Sequence, residues 1–268
     1  MKRRAQYQKN WVYTLLMVIL FCVFCAAVLI ICSILFKGIS KPLEDILMAG
    51  IASVLVFLIT IPFSKWEKLS LSNIGVIPFK RSFFKVVLGL IIGLLISGLH
   101  ITTVVFFSHI SLNRFNGTSF TTTIAMLLLY LLTALREELA FRGYPLRSLA
   151  YSIGNWKAQA IIAVFFALEH LAGGYTWGQA ILGAAIGAIL FGIAALRSGG
   201  IALPLGIHTA WNFSQWYVGF KLEKGMYDAI VPEAFQSSNQ MVIQVSYIVI
   251  MLGAIAAFYF YKSPQHTV

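Results

Sequence analysis

The chain has 268 residues, of which 59% are hydrophobic and 11% charged, and its mean hydropathy is +0.85. Soluble domains carry roughly 45 to 50% apolar and about 25% charged residues, so this composition excludes an ordinary soluble enzyme. The 20 Lys and Arg against 9 Asp and Glu are scattered between apolar runs, without the basic stripe that nucleic-acid binding requires, and read as topology signals.

The expected fold is an all-α, polytopic transmembrane helix bundle of about eight spans around a polar intramembrane cavity. A spanning helix needs roughly 20 mostly apolar residues. Segments that meet or approach this are 11–36, 47–63, 86–107, 121–135, 158–171, 177–196, 201–220 and 241–261. The first is too long for a signal-peptide h-region of about 7 to 15 residues and has no small-residue cleavage site after it, so it reads as an uncleaved span. It holds all three cysteines, Cys22, Cys25 and Cys32, which read as small buried hydrophobes rather than a redox motif.

The fourth and fifth segments are short and end on ionisable residues, as expected of helices packed inside a bundle. In the sixth, Gly183 and Gly187, beside Ala184, Ala185 and Ala188, are expected to let a neighbouring helix approach closely. The polar stretches 64–81 and 221–240 are of loop size, so residues 1–268 are expected to form a single membrane domain.

Cytoplasmic loops carry an excess of Lys and Arg. With eight spans, fifteen of these residues fall on the amino-terminal side and five on the other. The first group includes Lys2, Arg3, Arg4, Lys65, Lys80, Arg147, Arg197 and Lys262; the second is Lys37, Lys41, Arg114, Lys221 and Lys224. Both termini are therefore expected in the cytoplasm, in a multi-pass protein of the cell membrane.

Three clusters of polar residues fall at or near membrane depth. Arg136, Glu137, Glu138 and Arg142 follow the fourth apolar run, and on a helix Glu138 and Arg142 are spaced for an ion pair. Glu137 is rotated about 100° from Glu138, so the two carboxylates need not face one partner, and one is expected to be held by arginine while the other stays available. The fifth span carries Phe166, Glu169 and His170; the seventh carries His208, Trp211 and Asn212. Phe166 with His170, and His208 with Asn212, each share a helix face. His100 and His109 lack such neighbours and read as structural. Glu44, Asp45, Glu67, Glu223, Asp228, Glu233 and His266 fall in predicted loops or tails as solvated groups.

Depth argues against the grouping unless the fourth helix runs on to about Gly143. Glu137 then lies about 9 Å inside its end, His208 about 10 Å and His170 about 18 Å. Tilt, or a late start of the fifth helix, must close the difference.

Together these groups supply what peptide-bond hydrolysis needs: a base for water, an oxyanion donor and a dry cavity. Glu137 with His170 can activate water, and His208 with Asn212 can donate to the oxyanion. Glu169, costly in an apolar helix, needs a partner and can support the site. The same set can instead hold a divalent metal such as zinc on Glu137, His170 and His208 with a position left open. No His-Glu-x-x-His or Gly-x-Ser-x-Gly sequence is present.

The motifs Glu137-Glu138-Leu-Ala-Phe-Arg142, Phe166-Ala-Leu-Glu-His170 and His208-Thr-Ala-Trp-Asn212 resemble, in order, the Glu-Glu-x-x-x-Arg, Phe-x-x-x-His and His-x-x-x-Asn motifs of the CPBP family. These are the CAAX proteases and bacteriocin-processing enzymes, also called Abi. The resemblance implies an intramembrane endopeptidase with a catalytic core at 121–219 and a cavity opening toward the cytoplasm. It also implies roles: Glu137 and His170 on water, His208 and Asn212 at the oxyanion, Glu138 and Arg142 in support. The expected partners are the lipid bilayer and a membrane-associated peptide or protein substrate. Two other classes remain: a non-catalytic scaffold or immunity protein of the same family, and a small-solute transporter, for which no internal repeat is visible.

Overall fold

The computed structural model describes residues 10–221 and 225–260 and is almost wholly helical. Lys2, Arg3, Arg4 and Lys9, then Glu223 and Lys224, then Tyr261, Lys262 and His266 lie outside the described residues, as do both termini.

Each of the eight expected apolar segments falls on a helix. In lipid a backbone must satisfy its own hydrogen bonds, and a helix does so within one segment. The helices are α1 (Trp11–Leu35), α2 (Leu43–Trp66), α3 (Ser82–Phe107), α4 (Phe120–Glu137), α5 (Tyr144–Ile153), α6 (Asn155–Ala172), α7 (Ile186–Ser198), α8 (Ala202–Tyr217) and α9 (Gln236–Phe260). Side-chain caps start two of them: Asn10 Oδ1 accepts from the Val12 amide at 3.0 Å, and Ser119 Oγ from the Thr122 amide at 3.0 Å.

Among the described residues, five helical stretches are long and apolar enough to cross a membrane: α1, α2, α3, Gln179–Ser198 and Glu233–Phe260. Their outer faces present Leu16, Ile34, Leu95, Phe106, Val245 and Phe260. That apolar band belongs to a multi-pass membrane protein. The helices that bear the three motifs, α4, α6 and α8, are shorter or more polar and lie against the others. The polarity foreseen at the fourth and fifth segments thus extends to the seventh.

Two π-helical turns interrupt the regular pattern, at Glu138–Gly143 and Gln179–Ala185. The first carries the chain without a break from α4 into α5, so the fourth helix does run on past Leu135. Hydropathy did not foresee α5, because it is short and amphipathic. It buries Tyr144, Leu146 and Leu149 in a core with Phe21, Phe63, Ile74 and Val76. Nor did it foresee the pairing of β1 (Ser111–Arg114) with β2 (Tyr227–Ile230), an antiparallel ladder running from Ser111↔Ile230 to Arg114↔Tyr227.

Tight helix approach occurs elsewhere than expected. A Cβ on Gly206 of α8 would lie 2.2 Å from the Val86 carbonyl oxygen of α3, and one on Gly89 would lie 2.3 Å from that of Leu203. Gly183 has open space around it, and a Cβ on Gly187 would meet the Tyr247 hydroxyl at 3.2 Å and Phe191 at 3.7 Å. Small residues therefore bring the backbones of α3 and α8 together, whereas Gly187 and Gly192 of α7 face side chains of α9 and α6.

Loops gather on two opposite faces. On one, the 67–81 segment, α5 and the α7–α8 turn are tied together: Arg147 donates to the Ala195 carbonyl, Lys85 to that of Ser198, and the Ile201 amide to that of Gly75. Glu67, expected in solvent, is buried there and accepts from Ser148. On the other face, β1 and β2 pair, and Thr118 Oγ1 donates to the Gly225 carbonyl at 2.6 Å. The grouping is the one that an even number of alternating spans requires.

Candidate active site

The end of α4 places Arg136 and Glu137, and the π-helical turn after it places Glu138 and Arg142. A π-turn widens the helix by one residue per closed ring and is frequent at functional sites. Here both carboxylates reach the same imidazole. His208 Nδ1 lies 3.0 Å from Glu138 Oε1, and His208 Nε2 lies 3.5 Å from Glu137 Oε2. The two acids therefore share a partner, which their rotation on a regular helix did not require.

Each acid also has its own arginine, so neither stays apart as expected. Arg136 Nη2 donates to Glu137 Oε1 at 2.7 Å, while its other terminal nitrogen bonds Glu169. Arg142 Nη1 stands 3.5 Å from Glu138 Oε1, and its guanidinium lies 4.4 Å from the Phe166 ring centroid. Glu138 and Arg142 are 0% exposed. Charges so deep are tolerated only when paired, and their pairing here aims His208.

The imidazoles are set by their neighbours. The Phe191 ring stacks on His208 at 4.3 Å with planes 16° apart. His170 Nδ1 is 2.9 Å from the Phe166 carbonyl, which can only accept, so that nitrogen donates and Nε2 is left out of this bond. Lys221 Nζ, which can only donate, is 3.2 Å from Asn212 Oδ1, and this leaves the Asn212 Nδ2 hydrogens for another acceptor.

These side chains meet in one cavity of about 290 Å3. Glu137, Phe166, His170, His208 and Asn212 line it, together with Tyr130, Tyr175, Gly187, Trp211, Lys221 and Tyr247. Glu138 and Arg142 sit behind this wall and Glu169 acts through Arg136, so the supporting set does not itself line the space. Tyr247 donates to the Gly183 carbonyl at 2.7 Å, pinning the second π-turn to α9 beside the cavity.

Arg136 and Lys221 had no assigned role from sequence. Arg136 stood beside the acids but counted as a helix-end charge. Lys221 sits in a loop, and only folding brings it to Asn212. His100 is buried, with Nε2 3.2 Å from the Ile243 carbonyl, and His109 stacks on Phe235 at 3.6 Å.

The cavity runs toward the face that carries β1 and β2. Its outermost lining residues, Tyr175 and Lys221, belong to the loops on the β1–β2 face, opposite the basic loops. Exposure rises the same way, from His208 at 4% to Tyr175 at 47%.

The metal alternative calls for Glu137, His170 and His208 as ligands. His208 turns both ring nitrogens to carboxylates, and one oxygen of Glu137 is taken by Arg136. Among the described residues no three His, Cys, Asp or Glu side chains are gathered as metal ligands.

Fold and site define a multi-pass helical membrane protein with a buried acid, imidazole and amide cavity. Residues 119–214, which include all three motifs, match the family model described as "Type II CAAX prenyl endopeptidase Rce1-like". That match bears out the resemblance to the CAAX protease family, a family of proteases, over about a third of the chain. No curated protein matches the chain.

Proposed function

We propose that this protein is an intramembrane endopeptidase that hydrolyses a peptide bond in a membrane-associated peptide or protein, with its catalytic core at 121–219. The observation that carries this reading is the meeting of Glu137, His170, His208 and Asn212, from three helices, around one cavity.

Glu137 Oε2 takes the proton of a water that is held by the lone pair of His170 Nε2. The resulting hydroxide forms a bond to the carbonyl carbon, whose π electrons move to oxygen. That oxyanion accepts hydrogen bonds from Asn212 Nδ2 and from His208 Nε2. Glu138 holds the Nδ1 side of the ring, so that Nε2 is the nitrogen presented toward Glu137 and the oxyanion. Collapse breaks the C–N bond, and Glu137 returns its proton to the departing amine.

The orientation follows the positive-inside rule: the face bearing the basic loops is cytoplasmic, with both termini on that side. The bilayer is the solvent of the apolar band and the route by which a tethered substrate is concentrated; no nucleic-acid partner is expected.

The test is proteolysis by the purified protein in lipid against a panel of membrane-tethered peptides, wild type beside Glu137→Gln. Cleavage by the wild type that the variant loses supports the reading. Equal cleavage by both overturns the role of Glu137, and no cleavage by the wild type favours the scaffold reading.

A further inference from the structure

We propose that the segment joining α2 to α3 is a docking surface for the headgroups of anionic phospholipids, on the face opposite β1 and β2. Four cations and four aromatic rings within residues 65–84 make it, and none of them lines the cavity.

Lys65 and Lys68 stand at the end of α2, and Lys80 and Arg81 immediately precede α3, so each pair sits where a membrane-spanning helix leaves the hydrocarbon. All four are exposed, and among the described residues their side chains have no ion-pair or hydrogen-bond partner. Two other cations on this face serve the protein itself. Lys85 donates to the Ser198 carbonyl at 2.6 Å and Arg147 to that of Ala195 at 2.7 Å, which satisfies the last turn of α7.

No acid neutralises the four. Within 64–85 the one carboxylate is Glu67, which is buried and accepts from Ser148 of α5. Of the other described acids, Glu44 and Asp45 lie at the far end of α2, Asp228 and Glu233 on the β1–β2 face, and Glu137, Glu138 and Glu169 at the active site. The surface therefore carries uncompensated positive charge and attracts anions.

The rings decide which anion. Trp66, Phe79, Phe83 and Phe84, each beside one of the cations or next to its neighbour, are between 55% and 71% exposed. A nucleic acid or an acidic soluble protein would leave such rings in water. At a bilayer surface they enter the boundary of headgroup and acyl chain, while the lysine stems carry their ammonium groups up to the phosphates. An anionic lipid covers rings and charges together. Each cation near an anionic surface strengthens binding about five-fold.

The segment is also tied to α5, through Ser148 on Glu67 and through Tyr151, whose hydroxyl donates to the Asn73 carbonyl at 3.2 Å. Headgroups that hold it steady α5 as well, so the folded protein gains stability by mass action.

The test is native mass spectrometry of the purified full chain in detergent with equal amounts of phosphatidylglycerol and phosphatidylcholine, with thermal unfolding in each lipid beside it. Wild type is expected to retain phosphatidylglycerol preferentially and to unfold at a higher temperature in it. The combined variant Lys65→Gln, Lys68→Gln, Lys80→Gln and Arg81→Gln is expected to lose at least about five-fold of that preference. Arginine at the three lysine positions should keep it, as should Lys37→Gln with Arg114→Gln elsewhere on the surface. In wild type the preference should fall away at about 1 M salt, where the screening length is about 3 Å. Equal retention of the two lipids by wild type overturns the proposal. So does a preference that survives in the glutamine variant or at high salt, and so does its loss in the arginine variant.

Discussion

His208 Nδ1 lies 3.0 Å from Oε1 of Glu138, a carboxylate with no exposure to solvent. The contact spans α8 and the π-turn after α4, and it orients the ring so that Nε2 faces Glu137 and the cavity. Glu138→Gln keeps the shape of the side chain but removes its charge. Turnover is expected to fall by about 10²-fold, with KM little changed, because the ring loses its orienting partner while the substrate's own contacts persist. Equal kcat in wild type and variant would show that Glu138 serves packing alone.

Glu137→Gln is expected to lower cleavage by about 10² to 10⁴-fold while the protein keeps its thermal unfolding profile in detergent. An amide is nearly the size of a carboxylate, and Arg136 retains Glu169 as partner. A variant that unfolds at lower temperature and loses activity in proportion would point to a structural role.

Oxyanion donors should cost turnover more than binding. Asn212→Ala and His208→Ala are each expected to lose about 10²-fold or more in kcat. Lys221→Met, which frees the Asn212 amide to rotate, is expected to lose less than Asn212→Ala. A Lys221 variant worse than Asn212→Ala would place the lysine itself on the substrate.

Arg136 joins two acids on different helices, Glu137 and Glu169. Arg136→Met leaves Glu137 buried without its cation and is expected to destabilise the protein by about 3 to 5 kcal/mol. Adding Glu169→Gln to that variant removes one of the two unpaired charges and should restore part of the loss. Thermal unfolding of the three variants reads this directly, and no recovery in the double variant would break the proposed coupling.

The α3–α8 contact depends on a missing side chain. Gly206→Ala places a methyl group 2.2 Å from the Val86 carbonyl oxygen, which a helix backbone cannot yield without moving. Destabilisation of about 1 to 3 kcal/mol is expected. The equivalent change at Gly183, which has open space, should leave the unfolding temperature near that of the wild type.

Local composition by itself determined the class of this protein. Eight apolar runs mark where the chain is helical, because lipid enforces internal hydrogen bonding wherever a run is long enough. The same reading singled out Glu137, Glu138, Arg142, His170, His208 and Asn212, since polar and ionisable groups at membrane depth are costly and few. Only the tertiary structure decided how they meet. The π-turn swings Glu138 onto His208, Arg136 reaches across to Glu169, and Lys221 arrives from a loop to hold Asn212. It also decided that α5 lies on the basic face and that the cavity runs toward the other. Hydropathy sums over a segment, whereas convergence depends on the rotation and depth of each helix, which packing contacts such as Gly206 against Val86 set between residues far apart in the chain.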